Sequence, residues 1–141
     1  MVTVKERVWS ATLSIGGYAM LNLSGKTAFV FGVASEDSIA WAICKMLAES
    51  GVNLYLGYQK RFRSRIFQLK DKLPQIAGFY PLDVSTDEDT KEFFDAFSND
   101  NPGKKADIMI HAIGFAPRTC FDRPILFVED QDINTAMTID R

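Results

Sequence analysis

The stretch that most constrains this chain is Gly32-Val33-Ala34-Ser35-Glu36-Asp37-Ser38-Ile39-Ala40, which follows directly on the apolar run Thr27 to Phe31. A buried strand, a wide turn opened by glycine and a helix opened by serine stand there in order. That arrangement aims backbone N–H groups at a point where a phosphate can sit, on the positive end of a helix. Gly32 lets the backbone turn where a Cβ would obstruct a pyrophosphate, and the Ser38 hydroxyl with the nearby N–H groups can donate to phosphate oxygens. The turn departs from the GxGxxG fingerprint, because it holds one glycine with Ser38 six residues later. An ordinary strand-to-helix loop with a serine cap is the competing reading.

The remainder of the pattern alternates strand and helix. Lys26 to Phe31 has the composition of a buried strand, and Ser38 to Ser50 predicts a helix capped by Ser38 and stopped by a left-handed Gly51. Only Lys45, Glu49 and the ends of that helix are polar, so cover on most sides is expected. Val52 to Leu56 predicts the second strand. Phe62, Ile66, Leu69 and Leu73 then recur at helical spacing before Pro74. Ala77 to Leu82 predicts a third strand, which Pro81, lacking a ladder donor, assigns to a sheet edge. Ser85 and Glu88 have the spacing of a capping box before a helix that buries Phe93, Phe94 and Phe97. Asp107 to Ala112 predicts the fourth strand, and Val128 to Ile139 a further helix with Asp130 or Asp132 near its start. Strands joined by helices of this length need right-handed crossovers. The expected fold class is therefore α/β, a Rossmann-like doubly wound parallel sheet of order 3-2-1-4 that stops after about four strands, with its crevice between the ends of strands one and four.

Composition narrows the function classes. A length of 141 residues with 47% apolar residues suits one domain with a real core. A net charge of -2 gives no footprint for nucleic acid. Cys44 and Cys120 lack CxxC spacing, and His111, the one histidine, cannot complete a zinc set, so reduced thiols and no metal are expected. His111 itself suits a satisfied strand residue better than a catalytic base. No apolar run approaches the roughly 20 residues of a membrane span, so no membrane partner and a cytoplasmic location are expected. Residues 1 to 20 faintly imitate a signal peptide but are broken by Gly16-Gly17; they read as an N-terminal extension, with Met20 a candidate start.

Leu23-Ser24-Gly25-Lys26, Phe31 to Ser35 with Ser38-Ile39-Ala40, Tyr58-Gln59, Asp83-Val84 and His111 to Pro117 lie in an order that resembles the NADH-dependent enoyl-acyl-carrier-protein reductases of bacterial type II fatty-acid synthesis. These form a divergent branch of the short-chain dehydrogenase/reductases. The resemblance implies that Gly32, Ser38 and Ile39 line the pyrophosphate, that Gln59 meets the adenosine ribose, and that Asp83 and Val84 flank the adenine. It implies further that Ile113 and Gly114 approach the nicotinamide ribose, with Phe115 and Ala116 on the substrate side. Lys60, Arg61 and Arg63 could hold a 2′-phosphate, although a solvated helix start is the commoner meaning of such a run. NADH is the expected cofactor, with NADPH left open.

The implied substrate is an enoyl thioester on acyl carrier protein, and the implied assembly is a homotetramer. The family's catalytic Tyr-x6-Lys has no counterpart, since Tyr80 is the last tyrosine of the 141 residues, and no catalytic residue is assigned. Residues 21 to 117 are expected to form the dinucleotide-binding half, and 118 to 141 the incomplete start of a substrate-side loop and helix. The chain so read carries the cofactor half of the reductase and is expected to be inactive alone. Another short-chain reductase, or a non-catalytic nucleotide-binding fragment, are the alternatives.

Overall fold

The computed structural model describes residues 22–139, so the expected extension over residues 1 to 20 lies outside the described residues. Along the chain come β1 (Thr27–Phe31), α1 (Ile39–Glu49), β2 (Asn53–Tyr58), α2 (Arg63–Leu69), β3 (Ile76–Pro81), α3 (Asp87–Asp100), β4 (Ile108–His111) and α4 (Asp130–Ile139). Short 3-10 turns at Lys60–Phe62 and Lys70–Lys72 flank α2. The four strands are parallel and ordered β3-β2-β1-β4, as the crossover argument requires.

Each face of the sheet carries its own core, because side chains alternate along a strand. On one face Ala28, Val30, Leu54 and Leu56 pack under Trp41 and Cys44 of α1 and Ile66 and Leu69 of α2. The opposite face is aromatic: Phe29, Phe31, Tyr55 and Tyr80 meet Phe93 and Phe97 of α3, with the Phe29 and Phe97 rings edge to face at 4.6 Å. β1 is buried along its whole length, as a central parallel strand must be. Its entry is fixed by Asp107, which precedes β4 and accepts from the Thr27 N–H and from Lys26 Nζ, both at 2.9 Å. β3 forms an edge, and Pro81 pairs there with Tyr58.

Three expectations change. α1 is covered on one face only, through Ala40, Trp41, Cys44 and Ala48, while Ile39 and Met46 are 77% and 69% exposed. One sheet face supplies one layer of cover, and no described element lies beyond the helix. The cap of α3 is Thr86, which accepts from the Asp89 N–H at 3.2 Å, in place of the expected Ser85 and Glu88 pair. The reason is local: Ser85 is engaged by Asp83 and cannot reach the helix. Phe94, expected in the core, lies at the solvent edge of the aromatic cluster.

Candidate functional site

The C-terminal ends of all four strands open onto one cavity of about 620 Å³. Its walls come from the turn after β1 (Gly32 to Ala34), the end of β2 and the next turn (Gly57 to Phe62), the exit of β3 (Leu82 to Ser85) and the exit of β4 (Ala112 to Phe115). This is the crevice that the strand order dictates, since the chain leaves β1 toward β2 on one side and β4 flanks it on the other.

Gly32 has φ +98°, a left-handed backbone that favours glycine. A Cβ there would stand 2.1 Å from the Ala112 carbonyl oxygen. Glycine at this position is thus demanded by the backbone leaving β4, a different cause from the pyrophosphate clearance argued on sequence. Gly114 is the converse, for nothing lies within 4 Å of where its Cβ would be. No described protein atom requires glycine there, and the residue lines the cavity.

Ser38 is the N-cap of α1: its hydroxyl oxygen accepts from the Trp41 N–H at 3.2 Å, and the hydroxyl donates to the Ser35 carbonyl at 2.8 Å. Its proton is therefore committed within the loop. Donors for an anion fall instead to the N–H groups of Ile39 and Ala40 at the helix start, which helix geometry leaves without intrahelical acceptors. Ser38 and Ile39 sit at the helix start and do not form the cavity wall, and the Ile39 side chain faces outward.

On the opposite side, Gln59 is half-buried, and its Oε1 accepts from Arg61 Nε at 2.8 Å. The Arg61 guanidinium also lies over the Phe62 ring, 4.7 Å from its centre. Asp83 accepts at one oxygen from the Ser85 hydroxyl (2.7 Å) and N–H (3.0 Å). Those bonds, the hydroxyl first, hold its carboxyl below the ordinary 3.8, and the Arg61 charge adds to the effect. The group is an ionised acceptor at neutral pH. Lys60 and Arg61 line the cavity, whereas Arg63 does not and stacks over Phe67 at 5.4 Å.

The residues singled out on sequence divide accordingly. Gly32, Gln59, Asp83, Val84, Ile113, Gly114 and Phe115 share one cavity. Ser38, Ile39 and the half-buried Ala116 lie outside its wall. His111 ends β4 on an exposed position away from that wall, and among the described residues no group of three His, Cys, Asp or Glu side chains could hold a metal. The cavity wall thus combines a carboxylate acceptor, an amide and a glycine, with the start of α1 outside it.

Compared with known proteins, residues 32–141 match the model of the enoyl-(acyl carrier protein) reductase family. The chain belongs to that family. It is 38% identical over 104 residues to the NADH enoyl-[acyl-carrier-protein] reductase of Nostoc sp., covering 70% of this chain and 39% of that protein. It is 35% identical over 99 residues to the NADPH enoyl-[acyl-carrier-protein] reductase of Staphylococcus aureus, covering 69% of this chain and 38% of that one. The crystal structure of the NADH enoyl-[acyl-carrier-protein] reductase of Aquifex aeolicus superposes with a TM-score of 0.75 at 31% identity, over 84% of this chain and 50% of the other. The chain thus spans about two fifths of the length of the curated relatives it matches.

Within this reductase family member, two contacts escape a reading of the sequence alone. The Arg61–Gln59 bond was hidden because Arg61 reads as one of a basic run; the i, i+2 spacing across a tight turn is its local signal. The Asp83–Ser85 turn has a clearer one, since an aspartate two residues before a serine closes an Asx turn.

Proposed function

We propose that this chain supplies the cofactor-binding half of an enoyl-acyl-carrier-protein reductase, which reduces a trans-2-enoyl thioester carried on acyl carrier protein at the expense of NADH. The observation that carries the reading is the cavity at the switch point, where the exits of β1, β2, β3 and β4 bring together Gly32, Gln59, Asp83, Ile113 and Gly114. In this reading Asp83 accepts from the exocyclic amine of adenine, Val84 packs on its ring, and Gln59 bonds the adjoining ribose. The start of α1, with Ser38 and Ile39, receives the pyrophosphate on backbone N–H groups. Ile113 and Gly114 leave room for the nicotinamide ribose, and Phe115 with Ala116 screens the substrate side. When bound, the dinucleotide supplies the hydride that adds to the β-carbon of the thioester.

Arg61 bears on cofactor choice. Its Nε donates to Gln59 Oε1, which ties it to the neutral residue we assign to an unphosphorylated ribose. That favours NADH. No described helix is long and apolar enough to cross a membrane, which accords with a cytoplasmic enzyme. A homotetramer is the assembly we expect of the complete protein.

Calorimetric titration of the polypeptide with NADH and NADPH tests the assignment. Binding of NADH that is weakened by Asp83→Ala and by Gln59→Ala is the expected result. Absence of binding, or binding indifferent to both substitutions, would overturn the site.

A further inference from the structure

We propose that Arg61 is a positioning residue for nucleotide recognition, which, by donating from Nε to Gln59 Oε1 at 2.8 Å, turns the Gln59 amide so that its N–H donors meet a ribose hydroxyl in the cavity. The inference deepens the reading above and rests on its assignment of Gln59 to the ribose.

A glutamine amide has a donor end and an acceptor end, and a half turn exchanges them. Left alone on a cavity wall, Gln59 would present either end. Arginine carries donors only, so its partner at Gln59 must be the oxygen, and the nitrogen end is then left for a ligand. The bond is short-range and built into the fold. Gln59 stands at the start of the 3-10 turn Lys60–Phe62 and Arg61 lies within it, and the turn's backbone closes through the Phe62 N–H to the Gln59 carbonyl at 2.8 Å. Arg61 is itself constrained by the Phe62 ring beneath its guanidinium at 4.7 Å.

Ordering Gln59 before the nucleotide arrives removes a cost that binding would otherwise carry. The consequence is specific to the ribose. Losing Arg61 should blunt recognition of the hydroxyl and leave the adenine contacts alone. A rival role for the same side chain, direct contact with a 2′-phosphate, makes the opposite forecast.

Three probes separate them on the polypeptide of residues 1 to 141: 5′-AMP, its 2′-deoxy analogue and adenosine 2′,5′-bisphosphate, each titrated by calorimetry. The unsubstituted chain should prefer 5′-AMP to the deoxy analogue by about three- to tenfold, the range given by one neutral hydrogen bond. Arg61→Met and Gln59→Met should each abolish that preference, and the double variant should lose no more, while the melting temperature of the unliganded protein stays unchanged. Retention of the preference in Arg61→Met, or a loss confined to the 2′,5′-bisphosphate, would each overturn the proposal. An unsubstituted chain that binds 5′-AMP without preferring it to the deoxy form would also overturn it, with the nucleotide site intact. Failure to bind any of the three would instead overturn the site itself.

Discussion

Two glycines on one cavity wall owe their identity to opposite causes. A Cβ at Gly32 would meet the Ala112 carbonyl oxygen at 2.1 Å, so substitution strains the protein before any ligand is considered. Gly32→Ala should therefore destabilise the fold by about 2 kcal/mol or more, through a clash with backbone and a left-handed φ. Gly114→Ala meets no protein atom within 4 Å and should leave stability within about 0.5 kcal/mol while weakening NADH. Urea denaturation beside NADH titration checks both, and equal stability losses would erase the distinction. The sequence marks Gly32 as special because a glycine ends an apolar strand there. It cannot reveal why, since the atom that excludes a side chain belongs to Ala112, distant in the chain and adjacent only after β4 pairs with β1. Gln59 and Asp83 were legible because each stands within two residues of a strand's end and so must emerge at the crevice.

At the scale of elements, local chemistry decides boundaries and one long-range carboxylate joins the starts of two strands. Thr86→Ala should cost about 1 kcal/mol, the usual effect of removing an N-cap, whereas Ser85→Ala should spare the helix and loosen Asp83 instead. Equal effects in thermal melts would return the cap to Ser85. The sequence supports either residue, because both can cap and acidic partners follow both; the choice is made by Asp83, which takes the serine. Asp107 ties the start of β1 to β4, and Lys26 first, then the Thr27 N–H, hold its carboxyl below the ordinary 3.8. A carboxyl lowered by folding stabilises the native state above the unfolded value, and that contribution disappears as pH falls through the lowered folded value. Asp107→Asn should accordingly melt lower than the parent at neutral pH, and the difference should shrink as the pH drops below 3.8. A gap constant from neutral to acid pH would show that the charge of Asp107 contributes nothing. Helix α1 shows the limit of composition as a guide. Its apolar outer residues Ile39 and Met46 imply cover, yet cover depends on what packs outside the helix, which its own sequence does not encode.

For the whole molecule, strand order was legible because chirality leaves few ways to join parallel strands through helices, and a proline identified one edge. The position of the crevice follows from that order alone. Chemistry at the crevice does not, and the tyrosines show why. Tyr80 donates to Asp100 at 3.1 Å and accepts from Asn101 at 3.1 Å, within the polar bonds that dock the end of α3, and it is absent from the cavity wall. Tyr58 does reach the wall, but beside Gln59 and Arg61, on the side we assign to adenosine. In the reading proposed above the thioester lies on the side of Ile113 and Gly114, to which neither tyrosine is assigned, and it would there need a proton donor for the developing enolate, a contribution of several kcal/mol in such sites. A polypeptide of residues 1 to 141 should therefore bind NADH without oxidising it in the presence of crotonyl thioester. The same polypeptide should self-associate, because β4 is an edge of the described sheet and Met109 on it is 55% exposed; Met109→Lys should reduce the association. Spectrophotometry and light scattering on one preparation address the two halves together. Turnover by a monodisperse sample would require a proton donor other than these tyrosines and would defeat the division of labour proposed for this chain.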